Sequence, residues 1–189
     1  MARSSNKRER TRQRLLEASL ELFEERGYAP TTTAEIAAAA EVSEMTLFRH
    51  FPSKDRLLLD DPFDPLMAAA VADQPIALPA IARVTAGVRS AWHAVPAQAE
   101  AAVRRRLRIA TGAPELVGAI RANTQGTETA ITEALTSTGT DPTVARIAAA
   151  ATLAALTEAL TAWAAAGEDS SLTDAIQLAL SVLDGAARR

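Results

Sequence analysis

The sequence of 189 residues contains no cysteine and only two histidines, His50 and His93. Without thiols there are no disulfides, thiol nucleophiles or thiolate metal sites, and two histidines leave little for a zinc centre. Aromatic residues are scarce at 4%, whereas 44 residues are alanine. Because alanine is the strongest helix former, this composition predicts an all-helical fold and argues against a sheet.

Long hydrophobic runs are also missing. The longest, residues 147–156, is interrupted by Thr152 and is far shorter than the roughly 20 residues that span a membrane. No apolar segment follows the basic start of the chain, so we expect no signal peptide. These absences predict a soluble cytoplasmic protein without a membrane partner.

Charge is distributed unevenly along a chain whose net charge is −3. Residues 1–14 carry six basic side chains and one acidic one, a net +5, which leaves −8 on the remainder. A basic arm on an acidic body is typical of a modular nucleic-acid binder, because only the part that faces phosphate needs cations. A disordered, solubilising tail is the alternative interpretation.

Helical patterns follow one another closely in the first 60 residues. Apolar residues at helical spacing predict a helix over residues 10–26. Thr32 and Glu35 form a capping-box pattern for a second helix, and Ser43 can cap a short third helix over residues 44–50. Three short helices joined by short turns form a helix-turn-helix layout.

The rest of the chain consists of further helical segments separated by proline, glycine and serine. The expected segments lie at residues 54–72, interrupted by two prolines, and at 80–95, 96–111, 115–136, 143–166 and 171–183. Together they predict an all-α fold of about nine helices.

The third helix is the candidate for reading DNA bases, because the start of the second helix of a helix-turn-helix pair meets base edges. Glutamate can accept from cytosine, while threonine and methionine can touch a thymine methyl. The alternatives are that Glu44 is a solvated first-turn acid and that Met45 and Phe48 are ordinary core or surface residues. Candidates for phosphate contacts are Thr33, Ser43, His50 and Lys54.

Several motif residues carry a family resemblance over roughly residues 10–58. Phe23 and Gly27 precede the threonines, Ile36-Ala37 and Val42-Ser43 follow, and Thr46-Leu47-Phe48-Arg49-His50-Phe51 leads into Pro52-Ser53-Lys54. This pattern closely resembles the DNA-binding domain of TetR/AcrR-type transcriptional regulators. The resemblance implies DNA contacts from Thr33, Ser43, Glu44, Met45, Thr46, Phe48, Arg49, His50 and Lys54.

The resemblance also implies how the protein works. Residues 1–56 would form the helix-turn-helix domain with its basic arm, and residues 57–189 a helical ligand-binding and dimerisation domain. A homodimer would bind a pseudo-palindromic operator in double-stranded DNA and leave it when a small-molecule inducer enters. We expect a repressor with no metal and no other cofactor, and a regulator that acts as an activator or without a ligand is the alternative.

Two positions depart from the family pattern. The family usually has glycine where Glu41 stands, so Glu41 is expected to adopt an unusual backbone conformation or to change the turn. The family usually has tyrosine at Phe48, and phenylalanine cannot give a hydroxyl to a phosphate. We therefore expect Phe48 to pack or to make apolar contacts with DNA.

The last two helices are apolar on two faces, which predicts that one face binds a second subunit. Burial of both faces within one chain is the rival explanation. The residues assigned to the dimer interface are Leu153, Leu156, Leu160, Trp163, Leu172, Ile176, Leu180 and Leu183.

The ligand site is predicted only from the large or polar residues of the central helices. Arg104 to Arg106 could receive an acidic ligand, but consecutive arginines point to different sides of a helix and are expected mostly to solvate it. The candidate ligand contacts are Phe63, Met67, Trp92, His93, Arg108, Asn123 and Gln125.

Two rival classes remain. An enzyme is disfavoured because the sequence has no Ser-His-Asp spacing, paired-carboxylate motif, glycine-rich phosphate loop or metal cluster. A protein-interaction module would use the helix-turn-helix only for packing. Steeply salt-dependent DNA binding would argue against both.

Overall fold

The computed structural model describes residues 2–60, 64–93, 99–167 and 170–187, which form ten α-helices, one 3-10 helix and no strand. The N-terminal helices are α1 (Ala2–Arg26), α2 (Thr33–Ala39), α3 (Glu44–His50), α4 (Arg56–Leu59) and α5 (Asp64–Ala72). They are followed by α6 (Ala80–His93), α7 (Ala99–Thr111), the 3-10 turn (Pro114–Leu116), α8 (Val117–Thr136), α9 (Pro142–Ala165) and α10 (Leu172–Ala187).

The all-helical prediction is confirmed, with ten α-helices in the described residues where about nine were expected. The additional one arises because the expected fourth segment is divided into α4 and α5. The first helix also begins at Ala2 rather than near Arg10. The basic arm is therefore the first part of α1 and not a separate tail.

One compact unit comprises the chain up to Asp60 together with residues 108–120. Its core includes the fully buried side chains of Leu15, Ile36, Leu47 and Phe51. The apolar stripe predicted for the first helix lies in this core, where Phe23 is also buried. The packed stripe holds α2 and α3 against α1.

The second unit comprises the described residues of 61–107 and 121–189. In it α6 packs against α5, α9 and α10. The approach of α5 and α6 is close at Gly87, where a Cβ atom would lie 2.6 Å from Val71 Cγ2 and 2.7 Å from Val71 Cα. Glycine is therefore required for the two helix backbones to approach this closely. Helices α7 and α8 each contribute residues to both units.

Helix α9 is long and apolar enough to cross a membrane by length and composition alone. It nevertheless packs against α6 and α10, and eight of its residues are buried. Asp141 caps its start by accepting from the backbone N–H groups of Thr143 and Val144. These contacts identify α9 as a core helix of the second unit.

Candidate nucleic-acid interface and ligand cavity

Caps at both helix starts fix the geometry of α2 and α3. The Thr32 hydroxyl accepts from the Glu35 N–H at 3.2 Å, and the Glu35 carboxylate accepts from the Thr32 N–H at 2.8 Å. The Ser43 hydroxyl accepts from the Thr46 N–H at 3.2 Å. These bonds satisfy N–H groups that have no partner inside the helix. Both predicted caps are confirmed.

The turn between α2 and α3 contains a residue with left-handed backbone geometry. Glu41 has φ +54°, a conformation that glycine adopts readily and that costs other residues about 1 kcal/mol. The unusual conformation expected for Glu41 is therefore confirmed. Its carboxylate lies 3.7 Å from the Arg14 guanidinium.

One face of α3 is buried and the other is free. Leu47 is fully buried, whereas Met45 is 77% and Phe48 46% exposed. Both side chains are therefore available for contact with another molecule. The exposed pair stands on the face from which the sequence predicts base contacts.

The polar residues of α3 are already linked by hydrogen bonds. The Thr33 hydroxyl donates to the Glu44 carboxylate, the Ser43 and Thr46 hydroxyls lie 2.9 Å apart, and Arg49 donates to the Thr46 hydroxyl at 3.3 Å. Thr33 was predicted to offer its hydroxyl to phosphate. In this structure the hydroxyl donates to the Glu44 carboxylate and so orients the first residue of α3, and the phosphate contact stays a prediction.

A groove with basic walls lies between α1 and α3. It is lined by Lys7, Arg8, Thr11, Arg14, Glu41, Val42, Thr46, Arg49 and His50. Four of these are arginine or lysine and one is acidic, so the groove attracts anions. The sequence located the cations of the arm, but only the packing of α1 brings them beside α3.

Not every cation of the arm faces this groove. Arg12 pairs with Asp60 and lies with its guanidinium 4.8 Å from the centre of the Phe51 ring. Arg12 therefore links α1 to the C-terminal end of α4. Lys7 and Arg8 are exposed and remain the arm residues best placed for phosphate.

His50 is half-buried at the end of α3, and its pKa is lowered from the usual value. Burial is the main cause, and the nearby charges of Arg8, Arg49 and Arg12 add to it, while Glu9 opposes it. Each of these cations disfavours a second positive charge. A phosphate in the groove would reverse this effect, because an anion favours the charged imidazole.

The Lys54 ammonium is bound within the chain rather than exposed for a phosphate contact. Its ammonium donates to the backbone carbonyls of Tyr28 at 2.8 Å, Thr31 at 2.9 Å and Ala29 at 3.4 Å and lies 4.1 Å from the Tyr28 ring centre. Three bonds account for all three ammonium protons. Burial lowers the pKa of Lys54, with Glu115 opposing the change. The structure therefore corrects the predicted phosphate contact to an internal one.

The second unit contains a partly open cavity of about 190 Å³. Among the described residues its walls are mostly apolar, with one aromatic side chain, Trp92, and four threonine or asparagine side chains. The described residues that line it are Met67, Val88, Ala91, Trp92, Val103, Asn123, Thr124, Thr127, Leu153, Leu156, Thr157, Leu160, Leu172 and Ile176.

Three of the predicted ligand contacts, Met67, Trp92 and Asn123, line this cavity. His93 and Gln125 are exposed and do not line it, and Arg108 lines a surface groove of the first unit instead. Phe63 lies outside the described residues. The other cavity residues could not be predicted from the sequence, because threonines and leucines at helical spacing are equally typical of an ordinary hydrophobic core.

The residues predicted for the dimer interface lie mostly inside the chain, and the interface itself stays a prediction. Leu153, Leu156, Trp163, Leu172, Ile176 and Leu180 are buried within the chain, and Leu160 and Leu183 are half-buried. Five of the eight line the cavity. Helices α9 and α10 are apolar on two faces, and the face with the larger side chains is the one predicted to contact a second subunit. In the structure these larger side chains fill the core of the chain itself.

A different apolar surface is exposed on α9 and α10. Val144 is 50%, Ile147 62%, Leu178 64% and Val182 64% exposed. The two helices pack against each other. We call this surface, defined by Val144, Ile147, Leu178 and Val182, the α9–α10 face.

Arg104 is buried, contrary to the prediction that the arginine run mostly solvates its helix. Its guanidinium donates to the carbonyls of Trp163 at 3.1 Å, Gly167 at 3.0 Å and Ser170 at 2.7 Å, and it stacks 4.0 Å from the Trp163 ring centre. The Trp163 carbonyl lies in the last turn of α9, where a cation is favourable, and the other two belong to the connection from α9 to α10. Arg104 thus closes the end of α9.

Two family models match the chain. Residues 15–60 match the model for bacterial regulatory proteins of the tetR family. Residues 78–187, more than half of the chain, match the MftR C-terminal domain, a TetR_C type.

Similar sequences match a short part of the chain. The chain is 50% identical over 50 residues to the HTH-type transcriptional regulator TcmR of Streptomyces glaucescens, which is 26% of this chain and 22% of that protein. It is 43% identical over 51 residues to the HTH-type transcriptional repressor Rv3405c of Mycobacterium tuberculosis, 27% of each. The chain thus matches about a quarter of the length of these relatives.

Solved structures share the fold along most of the chain. SmeT, the repressor of the Stenotrophomonas maltophilia multidrug efflux pump SmeDEF, superposes with a TM-score of 0.61 at 22% identity, covering 93% of this chain and 89% of that one. FadR from Bacillus subtilis, solved with stearoyl-CoA, gives a TM-score of 0.52 at 22% identity over 90% and 96%. At this identity the likeness establishes the fold alone.

Proposed function

Because the chain belongs to the TetR family of bacterial regulatory proteins, we propose that it is a cytoplasmic, ligand-responsive repressor that binds a pseudo-palindromic operator as a homodimer. The family consists of DNA-binding transcription regulators and not of enzymes. The observation that carries the proposal is the exposed face of α3 beside a basic groove. A repressor among the similar sequences supports the direction of regulation.

The DNA contacts divide into two groups. Met45 and Phe48 are exposed on α3 and would meet base edges together with Thr46, which lines the groove, and Glu44, which is held by Thr33. The groove cations and the α3 N-terminus would contact phosphate, because backbone contacts position a protein on the duplex whereas base contacts specify the sequence. Ser43, Arg49 and His50 belong to this second group.

The dimer would form through the α9–α10 face. Each of its four side chains is at least half exposed, and self-association would remove them from water. Burial of apolar surface contributes about 25 cal/mol per Å². A symmetric pair of such faces brings two copies of α9 and α10 together and pairs two α3 helices with one two-fold operator.

Ligand response would follow from differential affinity. Operator binding requires the two α3 helices to be about 34–36 Å apart, or a multiple of that. A ligand can bind more tightly to a dimer in which the two α3 helices are a different distance apart. It then lowers the affinity for DNA by an amount set by the difference between its affinities for the two states. Helices α7 and α8 support this link, since each contributes residues to both units and to the cavity lining through Val103 and Asn123.

Selection of bound fragments from genomic DNA tests the operator proposal. We expect an enriched inverted repeat and an affinity that falls steeply with salt, by about 0.9 in log–log slope per phosphate contact. Met45→Ala is expected to change the preferred sequence, whereas Lys7→Met weakens binding to all sequences. Absence of an enriched sequence, together with salt-independent binding, would contradict the proposal and favour a protein-interaction module.

A further inference from the structure

The fourteen described residues that line the cavity carry no formal charge. The polar ones among them are Asn123, Thr124, Thr127 and Thr157, besides the indole of Trp92. A carboxylate or phosphate in such a site would lose part of its hydration without gaining a counter-charge from these residues, which is unfavourable. The lining therefore favours an uncharged occupant.

Nearby charged side chains are committed to other partners. Arg104 donates to the carbonyls of Trp163 and Ser170, and Glu100 accepts from the Leu172 N–H at 3.1 Å. Arg89 pairs with Asp184 at 2.9 Å. None of these four residues lines the cavity, so none supplies a charge to its interior.

The size of the cavity sets the size of the occupant. At about 190 Å³ it is slightly larger than an engineered apolar cavity of about 150 Å³ that binds benzene. Trp92 adds a flat aromatic wall. A molecule of one or two fused rings fits this volume, whereas a long acyl chain with a nucleotide does not.

Hydrogen bonds within the walls set the polarity of the occupant. The Thr127 hydroxyl donates to the Asn123 carbonyl at 3.3 Å, and the Thr157 hydroxyl donates to the Leu153 carbonyl at 2.8 Å. A hydroxyl has one proton and two lone pairs. While these protons are engaged in the walls, the lone pairs of both hydroxyls remain to accept a hydrogen bond from an occupant. The Trp92 N–H is also committed, to the Thr173 hydroxyl at 3.3 Å.

We propose that the cavity binds an uncharged molecule of one or two rings that carries an N–H or O–H donor. The inference rests on the proposed function, because it names the class of molecule that the regulator would sense. Thr127 and Thr157 are the acceptors for the donor, and Trp92 contacts the ring.

Three ligands on one ring system test the class: indole, 1-methylindole and indole-3-carboxylate, titrated into the full-length protein by calorimetry. We expect saturable binding of indole with one site per chain. Methylation removes the donor, and a neutral hydrogen bond contributes about 1 kcal/mol, so 1-methylindole is expected to bind several-fold to tenfold more weakly. The carboxylate is expected not to bind.

Variants locate the binding. Ala91→Leu fills the cavity and is expected to abolish indole binding, whereas Ala122→Leu, exposed on α8 and outside the lining, leaves it unchanged. The Thr127→Val, Thr157→Val double variant keeps the shape and removes the acceptors. It is expected to bind indole and 1-methylindole equally, which keeps the test valid if Ala91→Leu does not fold.

Each contrary outcome overturns the inference. If indole-3-carboxylate binds as tightly as indole, the occupant is not restricted to uncharged molecules. If indole and 1-methylindole bind equally to the wild type, the requirement for an N–H or O–H donor is refuted. If indole does not bind, the proposed size of one or two rings is refuted. Operator binding measured without ligand is a separate readout. Intact operator binding with no indole binding removes only this inference, while loss of sequence-specific DNA binding removes the proposed function.

Discussion

Replacement of Lys54 by methionine separates a structural role from a DNA contact. The variant keeps a long, flexible side chain but loses three hydrogen bonds to backbone carbonyls and a cation–π contact with Tyr28. The side chain is only half-buried, so water replaces part of what is lost. A net hydrogen bond is worth about 1 kcal/mol and an exposed cation–π contact about 0.5–1 kcal/mol.

We therefore expect Lys54→Met to reduce the free energy of unfolding by about 2 kcal/mol, which corresponds to a Tm lower by about 4–8 °C for a chain of this size. The salt dependence of DNA binding should not change, because no phosphate contact is lost. The measurements are thermal unfolding by circular dichroism and operator affinity at several salt concentrations.

Lys7→Met is the matched control, since Lys7 is exposed and lines the basic groove. It is expected to leave Tm almost unchanged and to reduce the salt slope by about 0.9. The reasoning is refuted if Lys54→Met instead keeps the wild-type Tm and flattens the salt slope.

Three further predictions concern other parts of the molecule. The pKa of His50 is lowered in the free protein, and bound phosphate would raise it. Operator affinity in binding titrations should therefore increase as the pH falls from 8 towards 6, and His50→Gln should remove that increase. Leu178→Glu should shift the protein from dimer to monomer in analytical ultracentrifugation, unlike Ala122→Glu on α8; a dimer with both variants would exclude the α9–α10 face. Gly87→Ala should destabilise the protein by about 2 kcal/mol through the clash with Val71, whereas Gly126→Ala, with open space around it, should stabilise it by about 0.5–1 kcal/mol.

Stability should also follow the His50 titration. A group whose pKa is lower in the folded than in the unfolded state contributes stability that is present above the unfolded pKa, about 6.5, and is lost as the pH falls through the folded value. The wild type is therefore expected to lose more stability than His50→Gln below about pH 6.5 in urea unfolding. A larger loss in the variant would contradict the direction of the pKa shift.

Local signals in the sequence predicted the helix-turn-helix well. The caps at Thr32 and Ser43 and the strained turn at Glu41 depend on residues within four positions of one another. Such short-range hydrogen bonds and backbone preferences are encoded where they act. The position of Lys54 could not be predicted in this way, because its partners lie 23 to 26 residues earlier in the chain.

The C-terminal half shows the opposite case. Helical periodicity identified α9 and α10 as apolar on two faces, but it could not say which face meets the chain's own core. Leu153 and Ile176 were assigned to the partner and line the cavity instead. An alanine-rich helix offers nearly equal hydrophobicity all round, so the pattern does not rank its faces.

By itself, the sequence determined the all-helical class, the helix starts and the chemistry offered at the surface of α3, because these follow from composition and from contacts between near neighbours in the chain. Only the tertiary structure decided which cations of α1 stand beside α3, that Lys54 and Arg104 turn inward to carbonyls, and that the cavity has uncharged walls. Those outcomes depend on distant segments competing for the same side chains, and that competition is resolved only when the helices pack.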